Sequence, residues 1–185
     1  WDDARTAWLT ARDDAVRMAR AFAQAGYHKQ IVNRLLEPFG HISVVCTATE
    51  WDNFFDLRCH PDADPTMRAL ADAMRDAISG SAPNEKPLYR KWHLPYVRDE
   101  DFDDYYGDNL FRHLAMISAA RCARVSYLNH DGTSPDIEKD LALANRLLES
   151  KHMSPFEHQA RVTVDKGTAL WGNLRGWDQF RKMIE

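Results

Sequence analysis

Cysteine is scarce in this chain: three among 185 residues, Cys46, Cys59 and Cys122, with no close pair. Such a count builds no disulfide framework and suits a reducing compartment, so a cytoplasmic protein is expected. Long apolar runs are missing as well. No stretch approaches the roughly 20 residues needed to span a bilayer. None has the order of a signal peptide, and no membrane partner is expected. Nor is there a positive excess. The 24 lysines and arginines are outnumbered by 28 aspartates and glutamates, giving a formal net charge of -4. Without a global basic surface to displace counterions, a general nucleic-acid binder is not expected. A local phosphate pocket built from a few arginines is still compatible with this balance. Internal repeats and low-complexity tracts are also absent.

What is present is an ordinary globular composition. Hydrophobic residues make up 44% and charged residues 28%, close to the soluble average. The length allows one domain with a real core, residues 1–185. The chain opens on Trp1, not methionine, inside what reads as a helix. Native sequence is therefore expected upstream.

Trp8, Ala11, Ala15, Met18, Phe22 and Ala25 recur at spacings of three and four, one apolar face of a long helix that Gly26 stops. A short helical turn over 29–37 ends at Pro38. Ile42, Val44 and Cys46 then alternate with Ser43, Val45 and Thr47, the period-two pattern of a strand. Helical spacing returns over 50–58. Asp64 and Pro65 are a good N-cap and first-turn pair for a helix carrying Met67, Leu70, Ala71, Met74 and Ile78.

From 80 to 108 the composition turns to Pro, Asn, Asp, Tyr and Trp without a period. An irregular excursion is expected there, with its acidic stretch 99–104 on solvated surface. Helix is predicted over 110–124. A further helix starts at Ser134 and Pro135 and buries Ile137, Leu141, Ala144 and Leu148. Ser154, Pro155 and Glu157 match a capping box, and 160–164 reads as a strand. The whole is a mixed α/β (α+β) chain, helix-rich with a small sheet.

Four clusters could carry chemistry. Arg34, within Asn33-Arg34-Leu35-Leu36-Glu37-Pro38-Phe39, could offer a planar fork of donors to a phosphate or a pyrimidine carbonyl. The competing reading is a surface arginine paired with Glu37. The second cluster runs from Thr47 through Thr49, Glu50 and Asn53 to Arg58. A strand entering a helix N-terminus is a natural place for an anion, and Asn53 among aromatics needs partners. It could equally bond its own backbone.

The third cluster is His152-Met153-Ser154-Pro155-Phe156-Glu157-His158. Its two histidines are six apart, not the four of a helical zinc pair, and no metal is expected. A helix start with free amides can hold a flavin edge or a phosphate, or the residues simply cap. The fourth is Arg121-Cys122-Ala123-Arg124-Val125-Ser126-Tyr127, either an anion site or an ordinary helix end. Cys122 within it reads as an inert buried thiol.

Together these blocks resemble the flavin-dependent thymidylate synthases. Residues 123–127 are similar to that family's alanine-arginine-valine-serine motif, and 152–158 to its histidine-x-(Thr/Ser)-Pro-Phe-Glu-His motif. Residues 33–39 resemble its arginine-x-x-x-Pro segment, and 51–58 its Asn-Phe-x-x-Leu-Arg block. The order is permuted, as in a longer variant associated with phages and actinobacteria. The family's arginine-histidine-arginine signature and Ser-x-Asn motif are expected upstream of Trp1.

The resemblance implies conversion of dUMP to dTMP, with methylenetetrahydrofolate giving the carbon and NADPH reducing FAD. It implies Arg58 as the catalytic residue, Arg34 and Arg58 at dUMP, and Thr47, Thr49, Asn53, Ser154, Glu157, His152 and Ser126 at FAD. It also implies a homotetramer in which subunits share sites, in the cytoplasm of a bacterium or of a phage's host. Two other classes remain open. One is a flavin- and nucleotide-binding relative without methyl transfer. The other is a non-catalytic helical interaction module, suggested by the long first helix and by Trp171, Trp177 and Phe180.

Overall fold

A computed structural model describes residues 2–82, 92–102, 109–125, 136–163 and 170–185. The chain divides into two compact units, Trp1–Ser43 and Val44–Glu185.

The first unit is a long helix and a short one. Helix α1, Asp2–Gln24, follows the three-four periodicity, and Gly26 leaves it at φ +82, a conformation side chains disfavour. His28 caps α2, Lys29–Arg34, by accepting from the Gln30 amide. A 3-10 turn, Glu37–Phe39, contains Pro38 and brings Phe39 to 4.9 Å from the Trp8 ring. Only Ala19 and Val32 are deeply buried here among the described residues.

The strand expected over 42–46 does not form. Ile42 and Val44 are 78% and 65% exposed. Alternation marks residues able to build a half-buried strand, but a ladder needs a neighbour. Among the described residues none pairs with this segment.

The second unit holds the rest. Helix α3, Asp52–Arg58, packs on α4, Pro65–Gly80. The Asp64 carboxylate accepts from the amides of Thr66 and Met67, both at 3.0 Å, the N-cap that the sequence announces. Helix α5, Leu110–Ala123, is buried at every residue from Leu114 to Cys122 and forms the axis of the core. It packs against α6, Ile137–Glu149, whose N-cap is Asp136. The expected starters Ser134 and Pro135 lie outside the described residues.

Strands β1, Trp92–His93, and β2, Ala160–Val162, form an antiparallel sheet with β5, Trp177–Gln179, in the order β1-β2-β5. Strands β3, Leu170–Trp171, and β4, Leu174–Arg175, make a hairpin. The chain closes with α7, Phe180–Ile184. Phe156 and Phe180 meet Leu114 and Ile117 in the core. The described chain is thus mixed α and β, helix-rich with a small antiparallel sheet.

Two local expectations fail for the same physical reason. Asp101, assigned to solvated surface, is 2% exposed because Arg121 reaches it. The capping box at Ser154 does not form either. Residues Ser154–Glu157 make a 3-10 turn with no side-chain cap, and the Glu157 carboxylate pairs with Arg181. In both cases a distant arginine offers a carboxylate more than local backbone or water does.

Candidate functional site

In the second unit, three segments far apart in sequence meet. Residues 47–50 have no regular structure of their own, so their polar groups need outside partners. The β3–β4 hairpin supplies them. Asn173 donates from Nδ2 to the Thr47 carbonyl at 2.8 Å, and its own carbonyl accepts from the Thr49 amide at 3.1 Å. The Thr49 hydroxyl donates to the same carbonyl at 3.4 Å and accepts from the Arg175 amide at 2.8 Å. Arg175 also pairs with Glu50, and that bond holds the Glu50 carboxyl below the usual range.

The third segment is 157–158. Thr47 Oγ1 lies 3.2 Å from Nδ1 of His158, a half-buried ring whose pKa burial lowers against the opposing charge of Glu157. Gln179, 3% exposed, donates to the Glu157 carbonyl at 2.9 Å, and a Cβ on Gly172 would stand 3.2 Å from its amide. Gly172 has φ +62 at the first position of a two-residue hairpin turn, where a type II′ turn requires glycine. The hairpin is therefore seated against Gln179 on one side and clasps 47–50 on the other.

The junction continues into α3. The Trp51 indole N–H donates to the Ala48 carbonyl at 3.1 Å, and its ring stacks on Phe55 at 6.0 Å. Asn53 and Arg58 lie on α3, both exposed, and neither side chain has a partner among the described residues. Ser154 is exposed with its hydroxyl likewise unengaged among them. The His152 Nδ1 is 2.8 Å from Ser150 Oγ. The Ser150 hydroxyl donates to the Arg146 carbonyl at 2.7 Å, which leaves its oxygen able to accept from the His152 ring.

The structure thus brings together Thr47, Thr49, Glu157 and, through the backbone, Asn53. Arg34 belongs to the first unit, exposed and 3.5 Å from Glu37, the pairing that competed with a ligand role. Ser126 lies outside the described residues. Sequence reasoning missed Asn173, Arg175, Gln179 and Arg181. The Gly172-Asn173 pair between short β-prone segments is a hairpin signal that could have drawn attention to them.

The donor set has the chemistry a flavin needs. Asn53 offers an amide that both donates and accepts, Ser154 a hydroxyl, and Arg58 a fixed positive charge. Thr47 and Thr49 fit a supporting place better, since hydrogen bonds within the chain occupy their hydroxyls. Among the described residues no cluster of His, Cys, Asp and Glu is arranged to hold a metal ion, and no helix is long and apolar enough to cross a membrane. Cys122 is buried, and burial pushes its thiol up to about 11 against the bonds from Ser118 and Gln159. It is a protonated thiol at neutral pH. Phe180 belongs to the core and Trp177 is half-buried, which removes two of the aromatics that suggested an interaction module. No protein-family model, curated protein or solved structure matches this chain.

Proposed function

We propose that the chain acts as a flavin-dependent thymidylate synthase, with the fold of that family, converting dUMP to dTMP. Methylenetetrahydrofolate is the carbon donor and NADPH the reductant. The observation that supports this is the hydrogen bond between Thr47 and His158. Thr47, four residues ahead of the block 51–58 that resembles one family motif, touches His158 of the block 152–158 that resembles another, across 111 residues of sequence.

In this reading Asn53, Ser154 and His152 hold FAD, while Thr47, Thr49 and Glu157 keep the surrounding backbone in place. When bound, FAD supplies the hydride chemistry that no side chain can perform. Arg58 binds dUMP. The Arg58 guanidinium stabilises negative charge on the uracil ring as N3 ionises. It suits that task because it cannot itself lose the proton. No cysteine attacks the pyrimidine, in keeping with the protonated Cys122 thiol.

The test is release of tritium from dUMP labelled at C5, since methylation there displaces that hydrogen. Release that requires FAD, NADPH and methylenetetrahydrofolate together is expected. FAD binding without tritium release would leave the non-methylating relative instead.

A further inference from the structure

We propose that Asn173 is a positioning residue that fixes α3, and with it Asn53 and Arg58, by clasping residues 47–50. The assignment to dUMP binding rests on the thymidylate synthase reading; the clasp itself does not.

Residues 47–50 lead directly into α3 yet have no ladder of their own. Asn173 meets this segment with both its side chain and its backbone carbonyl. Its side-chain amide donates to the Thr47 carbonyl, and its carbonyl takes the Thr49 amide and hydroxyl. Arg175 adds its amide to the Thr49 hydroxyl and its guanidinium to Glu50. From there the coupling is stiff: Trp51 is tied back to the Ala48 carbonyl and stacked on Phe55 within α3.

The hairpin can serve as a reference point because it is itself fixed. Gly172 packs on the buried Gln179, which holds the Glu157 carbonyl. An exposed helix of seven residues has little intrinsic stability. Its orientation therefore comes from its packing on α4 together with such attachments. A displacement of about 1 Å in a substrate-holding group can cost on the order of 100-fold in rate. A loosened clasp is thus felt at Arg58 although Asn173 touches no substrate.

The experiment compares the full chain with Asn173→Asp, which keeps the shape but replaces the donor by a charged acceptor facing the Thr47 carbonyl, and with Asn173→Ala. Backbone amide exchange over 47–58 and the kcat and KM for dUMP are measured. Exchange over 47–58 should quicken at least about tenfold while α5 stays protected, and kcat should fall and KM for dUMP rise, lowering kcat/KM by about 100-fold. Unchanged exchange over 47–58 overturns the proposal. Faster exchange throughout the second unit, α5 included, overturns it in favour of a plainly structural asparagine. Local loosening with an unchanged KM refutes the role at dUMP. If the unaltered chain binds neither FAD nor dUMP, the thymidylate synthase reading fails, and the exchange comparison still decides the clasp.

Discussion

Arg121 donates its two terminal nitrogens to the carboxylate of Asp101, at 2.5 and 3.0 Å, deep in the core. Its Nε reaches Asp140 at 2.8 Å, and the Tyr96 carbonyl takes a further bond at 2.8 Å. Arg124 pairs with Asp140 from the half-exposed side. Burial alone would raise the Asp101 carboxyl, but the Arg121 bond, the Arg98 amide and both guanidinium charges carry it below its usual range. This network ties the 3-10 turn Asp99–Phe102 to α5 and α6.

Removing one partner strands a buried charge. Asp101→Asn or Asp140→Asn should therefore lower unfolding free energy by about 3–5 kcal/mol in urea titration. Breaking the exposed Arg12–Asp13 pair should cost less than about 1 kcal/mol. Equal effects would mean that the network is not tight in solution.

The cysteines should divide by exposure. Iodoacetamide should label exposed Cys46 first and the half-buried Cys59 more slowly, leaving Cys122 unmodified while the protein is folded. Mass spectrometry after a timed quench reads the order. Cys122→Ala should leave dTMP formation within about threefold, and a loss of 100-fold or more would restore a nucleophilic role.

Stability should fall on mild acidification. Burial sets the folded pKa of His158 below the ordinary 6.5 of a histidine, so the unfolded chain takes up that proton at higher pH. Between the two values the unfolded state binds more protons and stability rises with pH. The His158 contribution is complete above about pH 6.5 and is lost as pH falls toward the folded value, with a slope of at most about 1.4 kcal/mol per pH unit. His158→Gln should flatten the urea midpoint over that window. An unchanged profile would assign the acid sensitivity to other groups.

Arg58→Ala should lower tritium release at least about 100-fold. The unfolding free energy should move by less than about 0.5 kcal/mol, because the side chain is exposed and without partners among the described residues. Arg58→Lys keeps a charge but not the planar fork, so partial recovery is expected. Full turnover by Arg58→Ala would remove this residue from the chemistry.

The helices were legible because their signals are local. The spacing of Trp8, Met18 and Phe22, the Gly26 stop and the Asp64–Pro65 start each act within a few residues, and the structure follows them. The segment 42–46 was not, because alternation states what a strand could bury but not whether a neighbouring strand exists to pair with it. Glu157 illustrates the same limit: three residues from Ser154 it has the spacing of a capping box, yet its carboxylate is taken by Arg181, 24 positions on.

The sequence by itself determined where the long helices run and which blocks carry chemistry-bearing side chains. Only the tertiary structure decided that Asn173 holds Thr47, that Thr47 meets His158, and that Asp101 is a core residue. The physical reason is range. Propensity and capping act over one or two helical turns, whereas these contacts join residues tens to more than a hundred positions apart, and they form only once the surrounding elements have packed.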